Sequence, residues 1–184
     1  DLTPFPPARL RTAFTTRLPP PTGVWAYRGP RAVAAKWVHP ARVVGSFSGD
    51  GCFMMNGQEL ATAMQYDLRV LFIVVNNGMY GTIRMHQERE YPARVYATAL
   101  KNPDFAALAQ AYGLHGEVVS RTEQFAPAFE RAMASGKPAL LELRIDPEAI
   151  TTRPSPTAVR EQAVTARHGT ARRWFCRGRP RQAP

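Results

Sequence analysis

Cysteine is scarce in this chain, and so are long apolar runs. Cys52 and Cys176 are the only cysteines among 184 residues, and their surroundings differ too much to indicate a disulfide framework. No apolar run approaches the roughly 18 residues that a membrane-spanning helix needs. The first ten residues also lack the apolar stretch and cleavage site of a secretory signal. These absences predict a chain without membrane contact in a reducing, cytoplasmic setting.

Acidic side chains are the second deficit: 14 of them face 24 lysines and arginines, which gives a formal charge of +10. Such basicity is typical of nucleic-acid binders. The excess lies in the flanks, because residues 43–150 carry nine basic and twelve acidic side chains. The C-terminal flank has eight arginines and few aromatic side chains that could stack on bases. Nucleic acid is therefore not the expected partner, and nonspecific binding through the flanks stays open as an alternative.

Composition divides the chain into three parts. Residues 1–22 contain six prolines among threonines and arginines, which predicts an irregular Pro/Arg-rich segment. Residues 23–150 carry sustained hydrophobic periodicity and are predicted to form one α/β domain. Residues 151–184 show no sustained periodicity beyond a weak helical pattern at 157–166, so we expect a disordered basic tail.

The central part alternates between strand and helix patterns. Residues 70–75 form a continuous apolar run of strand length, as expected of a strand buried on both faces. The region 78–100 is predicted to be a long loop with one helical turn at most. The predicted strands cover residues 42–47, 70–75, 116–119 and 139–145, and the predicted helices cover 31–38, 56–66, 102–112 (capped by Asn102) and 120–136 (with a Ser120–Glu123 capping box). This alternation predicts an α/β fold with a doubly wound, mostly parallel sheet, helices on both faces and irregular termini.

Two of the predicted strands end in small polar residues. The first runs into Gly49-Asp50-Gly51, and the second runs into Asn76-Asn77-Gly78. The ligand crevice of an open parallel sheet lies at the carboxyl ends of its strands, so these residues are expected to meet there. Carboxylate, amide and carbonyl oxygens together suit Mg²⁺ carrying phosphate oxygens better than zinc.

The same residues resemble a known cofactor motif. Gly49-Asp50-Gly51, with Asn77 following 27 positions after Asp50, is similar to the motif of thiamine-diphosphate-dependent enzymes. The wider text, Gly-Asp-Gly-Cys-Phe-Met-Met-Asn-Gly-Gln-Glu-Leu-Ala-Thr-Ala, resembles the acetolactate synthase branch. The resemblance implies that thiamine diphosphate and Mg²⁺ are the cofactors. It also implies that Asp50, the Asn77 side chain and the Met79 carbonyl hold the metal.

Further roles follow from the resemblance alone. It implies that the diphosphate end of the cofactor lies beside Gly49, Gly51, Cys52, Tyr80 and Gly81. Trp25 stands where the family often has a bulky apolar residue that bends the cofactor. Upstream, Arg28 and Arg31 replace small residues at close-packed positions, so overpacking is expected there.

The resemblance assigns no catalytic residue to this chain. In the family, a glutamate from a separate pyrimidine-binding domain activates the cofactor, and that domain usually belongs to another subunit. The implied partners are therefore such a domain in another chain, a small 2-oxo acid substrate, and further subunits of a homo- or hetero-oligomer. Decarboxylation or carboligation of the 2-oxo acid is the implied reaction, and we expect an incomplete enzyme that is inactive alone. The alternative is a noncatalytic α/β interaction module.

The remaining polar candidates favour ordinary structural roles. Cys52 is expected to act as a small buried apolar side chain, because no basic partner that would activate a thiol is evident. His86 and His115 are isolated histidines with expected structural or surface roles, and Glu59 is expected on a helix surface or cap. Arg84, Arg89 and Arg94 could meet an acidic substrate, although a solvated loop is the preferred interpretation.

Overall fold

The computed structural model describes residues 27–150 and 154–176, with side chains described as far as residue 166. Four strands and seven helices alternate along this part of the chain. The strands are β1 (Val44–Gly49), β2 (Val70–Asn76), β3 (His115–Val119) and β4 (Ala139–Arg144). The helices are α1 (Arg28–Val38), α2 (Asp50–Met54), α3 (Glu59–Gln65), α4 (Gly81–Glu90), α5 (Phe105–Ala111), α6 (Thr122–Ala134) and α7 (Pro156–Cys176).

The four strands form one parallel sheet in the order β1-β2-β4-β3. Gly49 is in register with Val75, and Asn76 is in register with Arg144, so these strands end along one edge of the sheet. The predicted parallel α/β sheet is confirmed. Because all strands point the same way, the loops that follow β1, β2 and β4 converge at that edge.

Helices cover both faces of the sheet. On one face, α1, α3 and α5 pack against even-numbered side chains such as Phe72 and Leu140, which are buried together with Leu60 and Phe105. On the other face, α6 packs against Leu71 and Leu141 through the side chains of Ala128 and Ala132. Fully burying each large apolar side chain stabilises the fold by about 1.5–3 kcal/mol. The central strands therefore have no solvated face, which explains the uninterrupted apolar run of β2.

The region after β2 differs from its prediction. Where the sequence indicated a long loop over 78–100, the structure has the ten-residue helix α4. This helix buries few apolar side chains. It buries the carboxylate of Glu88, which is bonded to Arg160 of α7 (Nε to Oε2, 2.8 Å) and accepts the Ala93 N–H at 3.1 Å. A helix held by ion pairs shows no apolar stripe, so periodicity could not reveal it.

The predicted disordered tail is wrong for residues 156–176, which form α7. Arg160 anchors this helix to α4 through the Glu88 carboxylate, to which both Nε and a terminal guanidinium nitrogen donate. That bond is the largest influence on Glu88 and holds its pKa below the ordinary value, against the opposing effect of burial. The segment 1–22 and Trp25 lie outside the described residues.

Two predicted helix caps also differ. The Ser120–Glu123 box does not form, because Gln124 instead accepts the N–H groups of Ser120 and Arg121 at 3.0 and 3.1 Å. Asp104, rather than Asn102, caps α5 by accepting the Ala107 N–H at 2.9 Å. In the part of the chain that the structure describes, every helix is too short or too polar to cross a bilayer.

Candidate functional site

A cleft of about 300 Å³ lies at the carboxyl edge of the sheet. It is walled by the loops after β1 and β2, the start of α4 and the segment that follows β4. Eight of the nine residues for which the sequence suggested a cofactor or metal role line it: Gly49, Asp50, Gly51, Cys52, Asn77, Met79, Tyr80 and Gly81. The ninth, Trp25, is outside the described residues. The topology thus brings the two motifs, far apart in sequence, to one cavity.

Asp50 follows β1 directly and is only 3% exposed. Its Oδ1 accepts the Gly51 N–H at 2.8 Å, and its Oδ2 accepts the Gly78 N–H at 2.9 Å and the Asn102 side-chain amide at 2.7 Å. Every one of these donors is neutral. Among the described side chains, the ion pairs of arginine and lysine are made with other carboxylates. Asp50 is thus a buried carboxylate, hydrogen-bonded in place, whose charge is available to a bound cation.

The turn after β2 places Asn77 and Met79 opposite Asp50. Gly78, at its centre, has φ +68°, a conformation that side chains other than glycine rarely adopt. The Asn77 Oδ1 accepts the Met79 N–H at 3.2 Å, and the Met79 carbonyl accepts the Gly81 N–H at 3.0 Å. A second segment fixes this turn, since Leu100 N–H donates to the Gly78 carbonyl at 2.8 Å. Both oxygens keep acceptor capacity on the cleft side.

The donor set fits a hard cation. The described residues include no cluster of three or more His, Cys, Asp or Glu side chains able to hold a metal by themselves. One carboxylate with amide and carbonyl oxygens leaves the coordination of Mg²⁺ to be completed by water and phosphate, as is usual for phosphate-carrying Mg²⁺. The residues present therefore fit an Mg²⁺–diphosphate group, and their softness and number do not suit zinc.

Two glycines keep the walls of the cleft close together. A Cβ atom on Gly51 would lie 2.4 Å from Cε1 of Tyr80, so the tyrosine ring lies directly against the backbone there. A Cβ atom on Gly81 would lie 2.9 Å from Cδ1 of Ile150 and 3.1 Å from Nδ2 of Asn77. Side chains at these two positions would displace the lining of the cleft.

The first turn of α4 also borders the cleft. Gly81, Thr82 and Ile83 line the cavity, and the helix has no side-chain cap at Tyr80. The amino end of a helix carries a partial positive charge and attracts anions. The arrangement supplies a favourable potential for phosphate oxygens beside the oxygen ligands of a cation.

Sequence reasoning missed three supporting residues. Asn102 was assigned to a helix cap, yet its side chain bonds Asp50 and Asn76 at 2.7 and 2.9 Å. Asn76 was noted only as part of the motif, and it bridges Asn102 to Glu142. Glu142 is fully buried on β4. A charged residue inside an otherwise apolar central strand was the available signal.

The other polar candidates lie away from the cavity lining. His86 is exposed on α4, and His115 begins β3 at the opposite edge of the sheet, 3.4 Å from Glu117. Arg84 corrects the solvated-loop interpretation, because it is half-buried in α4 and donates to Glu148 at 3.1 Å. Arg89 and Arg94 are exposed.

The expected overpacking at Arg28 and Arg31 is not observed. Arg28 is exposed at the start of α1, where its guanidinium donates to the Phe47 carbonyl at 2.6 Å. Arg31 is half-buried in the same helix. Neither side chain lines the cleft, because α1 lies against the face of β1 rather than at the carboxyl edge.

Comparison with known proteins identifies the fold family. Residues 6–143 match the model of the "Thiamine pyrophosphate enzyme, C-terminal TPP binding domain". The chain belongs to this family. The recognition of an acetolactate-synthase-like, thiamine-diphosphate-binding domain is confirmed, and thiamine diphosphate with Mg²⁺ are the cofactors that membership implies. The match begins inside the segment 1–22, and the domain boundary at residue 23 stays a prediction.

Related proteins are considerably longer. The chain is 38% identical to an acetolactate synthase from Arthrospira platensis over 125 residues, which are 67% of this chain and 22% of that protein. It is 37% identical to the acetolactate synthase isozyme 2 large subunit of Escherichia coli (strain K12), over 67% of this chain and 23% of that protein. A solved structure, the thiamine diphosphate-dependent 4-hydroxybenzoylformate decarboxylase of Rhodococcus jostii RHA1, superposes with a TM-score of 0.62 at 33% identity, over 66% of this chain and 23% of that chain. The thiamine pyrophosphate-binding domain described here thus spans less than a quarter of these relatives.

Proposed function

We propose that this chain binds thiamine diphosphate through Mg²⁺ and forms the diphosphate-binding part of an acetolactate-synthase-like enzyme acting on 2-oxo acids. One observation carries the proposal: Asp50, Asn77 and Met79, from two separate strand ends, line a single cleft with oxygen donors. Family membership supports the cofactor, and the donor set supports the cation.

In this proposal the residues of the cleft have separate tasks. The Asp50 carboxylate, the Asn77 Oδ1 and the Met79 carbonyl would hold Mg²⁺, which neutralises diphosphate charge in a partly buried site. The first-turn amides of α4 would orient phosphate oxygens. Thiamine diphosphate, when bound, supplies the electron sink for decarboxylation or carboligation, and the protein contributes binding and orientation. Cys52 lines the cavity as a half-buried small side chain.

The whole reaction needs more than this domain in our proposal. The chain spans under a quarter of the relatives named above, and no residue of the cleft is assigned to proton transfer. We therefore propose a pyrimidine-binding domain from another chain as partner, an oligomeric assembly, a small 2-oxo acid substrate and no turnover by this chain alone. The cytoplasmic setting predicted from the sequence belongs to the same proposal.

Calorimetric titration with thiamine diphosphate tests the site directly. The wild-type chain should give heat with Mg²⁺ present and none with excess EDTA. Asp50→Ala and Asn77→Ala should both lose the Mg²⁺-dependent heat. Asn77 is the cleaner probe, because its side-chain oxygen has one hydrogen bond within the chain, to the Met79 N–H.

Gln110→Ala provides the matched control. Gln110 is an exposed amide on α5 that donates to the Gly116 carbonyl at 2.9 Å, away from the cleft, so its removal should leave the heat unchanged. A wild-type chain without Mg²⁺-dependent heat, or equal heats in wild type and Asn77→Ala, would overturn the proposal and favour an α/β interaction module.

A further inference from the structure

A continuous hydrogen-bonded chain runs from the interior of the sheet to the cleft. It links the fully buried Glu142 of β4 to Asn76, Asn76 to Asn102, and Asn102 to Asp50, with donor–acceptor distances of 2.9, 2.9 and 2.7 Å. We infer that Glu142 and Asn102 are positioning residues that fix the orientation of the Asp50 carboxylate for its cation. This inference rests on the proposed function of Asp50 as a metal ligand.

Glu142 sets the direction of the chain. Its Oε1 accepts from the Asn76 side-chain amide and from Arg144 Nε, each at 2.9 Å, and its Oε2 accepts the Phe105 N–H at 3.1 Å. An ionised carboxylate can only accept hydrogen bonds. Asn76 must therefore present its NH₂ group to Glu142, so its Oδ1 faces the cleft side, where it accepts the Gly78 N–H at 3.1 Å.

Asn102 transmits that orientation to Asp50. Its NH₂ group has two hydrogens, and the two acceptors within reach are Asn76 Oδ1 and Asp50 Oδ2. With Glu142 fixing Asn76, the Asn102 amide has one arrangement that satisfies both bonds. Donors then fill three of the roughly four acceptor positions of the Asp50 carboxylate, two on Oδ2 and one on Oδ1. The position left for a cation is on Oδ1.

Burying Glu142 would be costly without such a role. A charged group at 0% exposure in a central strand needs full hydrogen bonding, and an apolar residue would be cheaper at this position. Its only cationic partner is Arg144, whose side chain is half exposed. Residues that orient metal ligands from behind typically contribute about 10–100-fold in metal affinity. We expect an effect of that size for Glu142 and Asn102.

Mn²⁺ is a suitable probe because the fraction bound can be measured by electron paramagnetic resonance without catalysis. In the complete chain with saturating thiamine diphosphate, Asn102→Ala should raise the Mn²⁺ dissociation constant about 10–100-fold. Glu142→Gln keeps the shape of the side chain and should act in the same direction, because one amide oxygen cannot accept from all three donors. Circular dichroism melting without metal reports the folded fraction of each variant, and affinities are compared between folded proteins.

Two controls separate positioning from general damage. Glu117→Gln makes the same chemical change on β3, where it removes the contact with Arg131 far from the cleft. Gln110→Ala removes a comparable amide that donates to a backbone carbonyl. Both should change the Mn²⁺ dissociation constant less than twofold, even if they lower the melting temperature.

The outcomes distinguish this inference from the function beneath it. If Asp50→Ala abolishes Mn²⁺ binding while Asn102→Ala and Glu142→Gln stay within twofold of wild type, the positioning role is refuted and the metal site stands. If Asp50→Ala also binds Mn²⁺ like wild type, both the metal site and the positioning role are refuted. Loss of affinity in all three variants, with intact controls, supports both.

Discussion

Replacing Arg160 by methionine should destabilise the fold through a residue that is remote in sequence. Arg160 donates two hydrogen bonds to the Glu88 carboxylate, which is completely buried. Removing one partner of a buried ion pair costs about 3–5 kcal/mol, because the other charge is left uncompensated. Arg84 remains 3.9 Å from Glu88, the Ala93 N–H remains bonded, and solvent screens the partly exposed Arg160. We therefore expect about 2 kcal/mol.

Thermal melting followed by circular dichroism measures this cost. A loss of about 2 kcal/mol should lower the melting temperature by about 4–8 °C in a chain of this size. Glu88→Gln combined with Arg160→Met should recover part of the loss, since the buried charge is then removed as well. Arg131→Met is the control, because its partner Glu117 is on the surface and the same substitution should cost much less there.

The effect should depend on pH with a defined sign. Arg160 holds the pKa of Glu88 below its ordinary value of 4.5, so the stability from this pair is present above that value and is lost as the pH falls through the folded-state pKa. The gap between wild type and Arg160→Met should therefore be largest near about pH 7 and shrink below about pH 4. A variant as stable as wild type, or a gap that does not change with pH, would refute this account of Glu88.

Three further outcomes are expected from the structure. Gly116→Ala should lower the melting temperature by several degrees, because its Cβ would lie 2.2 Å from the Ala106 carbonyl oxygen; an unchanged melting curve would contradict this packing. Asp104→Ala should cost about 1 kcal/mol in urea unfolding through the lost cap on Ala107 N–H, and equal unfolding midpoints would contradict the cap. Iodoacetamide should modify Cys52 more slowly when thiamine diphosphate and Mg²⁺ are bound, as read by peptide mass spectrometry; equal rates would place the cofactor elsewhere.

The sheet and the placement of the two motifs could be predicted from the sequence. The apolar run of β2 and the small polar residues at Gly49 and Asn76 follow from strand burial and from the crevice rule for parallel sheets. These are patterns in neighbouring residues, which a sequence displays directly. They were sufficient to place Asp50 and Asn77 at one cleft.

The supporting contacts could not be predicted in the same way. Asn102 precedes a proline near a helix start, so local chemistry favoured a cap, and its bond to Asp50 spans 52 positions. The pairing of Glu88 with Arg160 spans 72 positions and leaves no apolar periodicity in α4. Long-range polar pairing depends on the tertiary arrangement, and single-sequence patterns contain little trace of it.

The anchoring of α7 has a practical consequence for dividing the protein. A version shortened to end at residue 150 would retain every side chain of the cofactor cavity, including Ile150. It would nevertheless discard Arg160 and leave Glu88 as a buried anion at the far end of the helix whose first turn faces the diphosphate. The smallest self-sufficient unit is therefore set by charge balance beneath α4, and it extends beyond the last residue that touches the cavity.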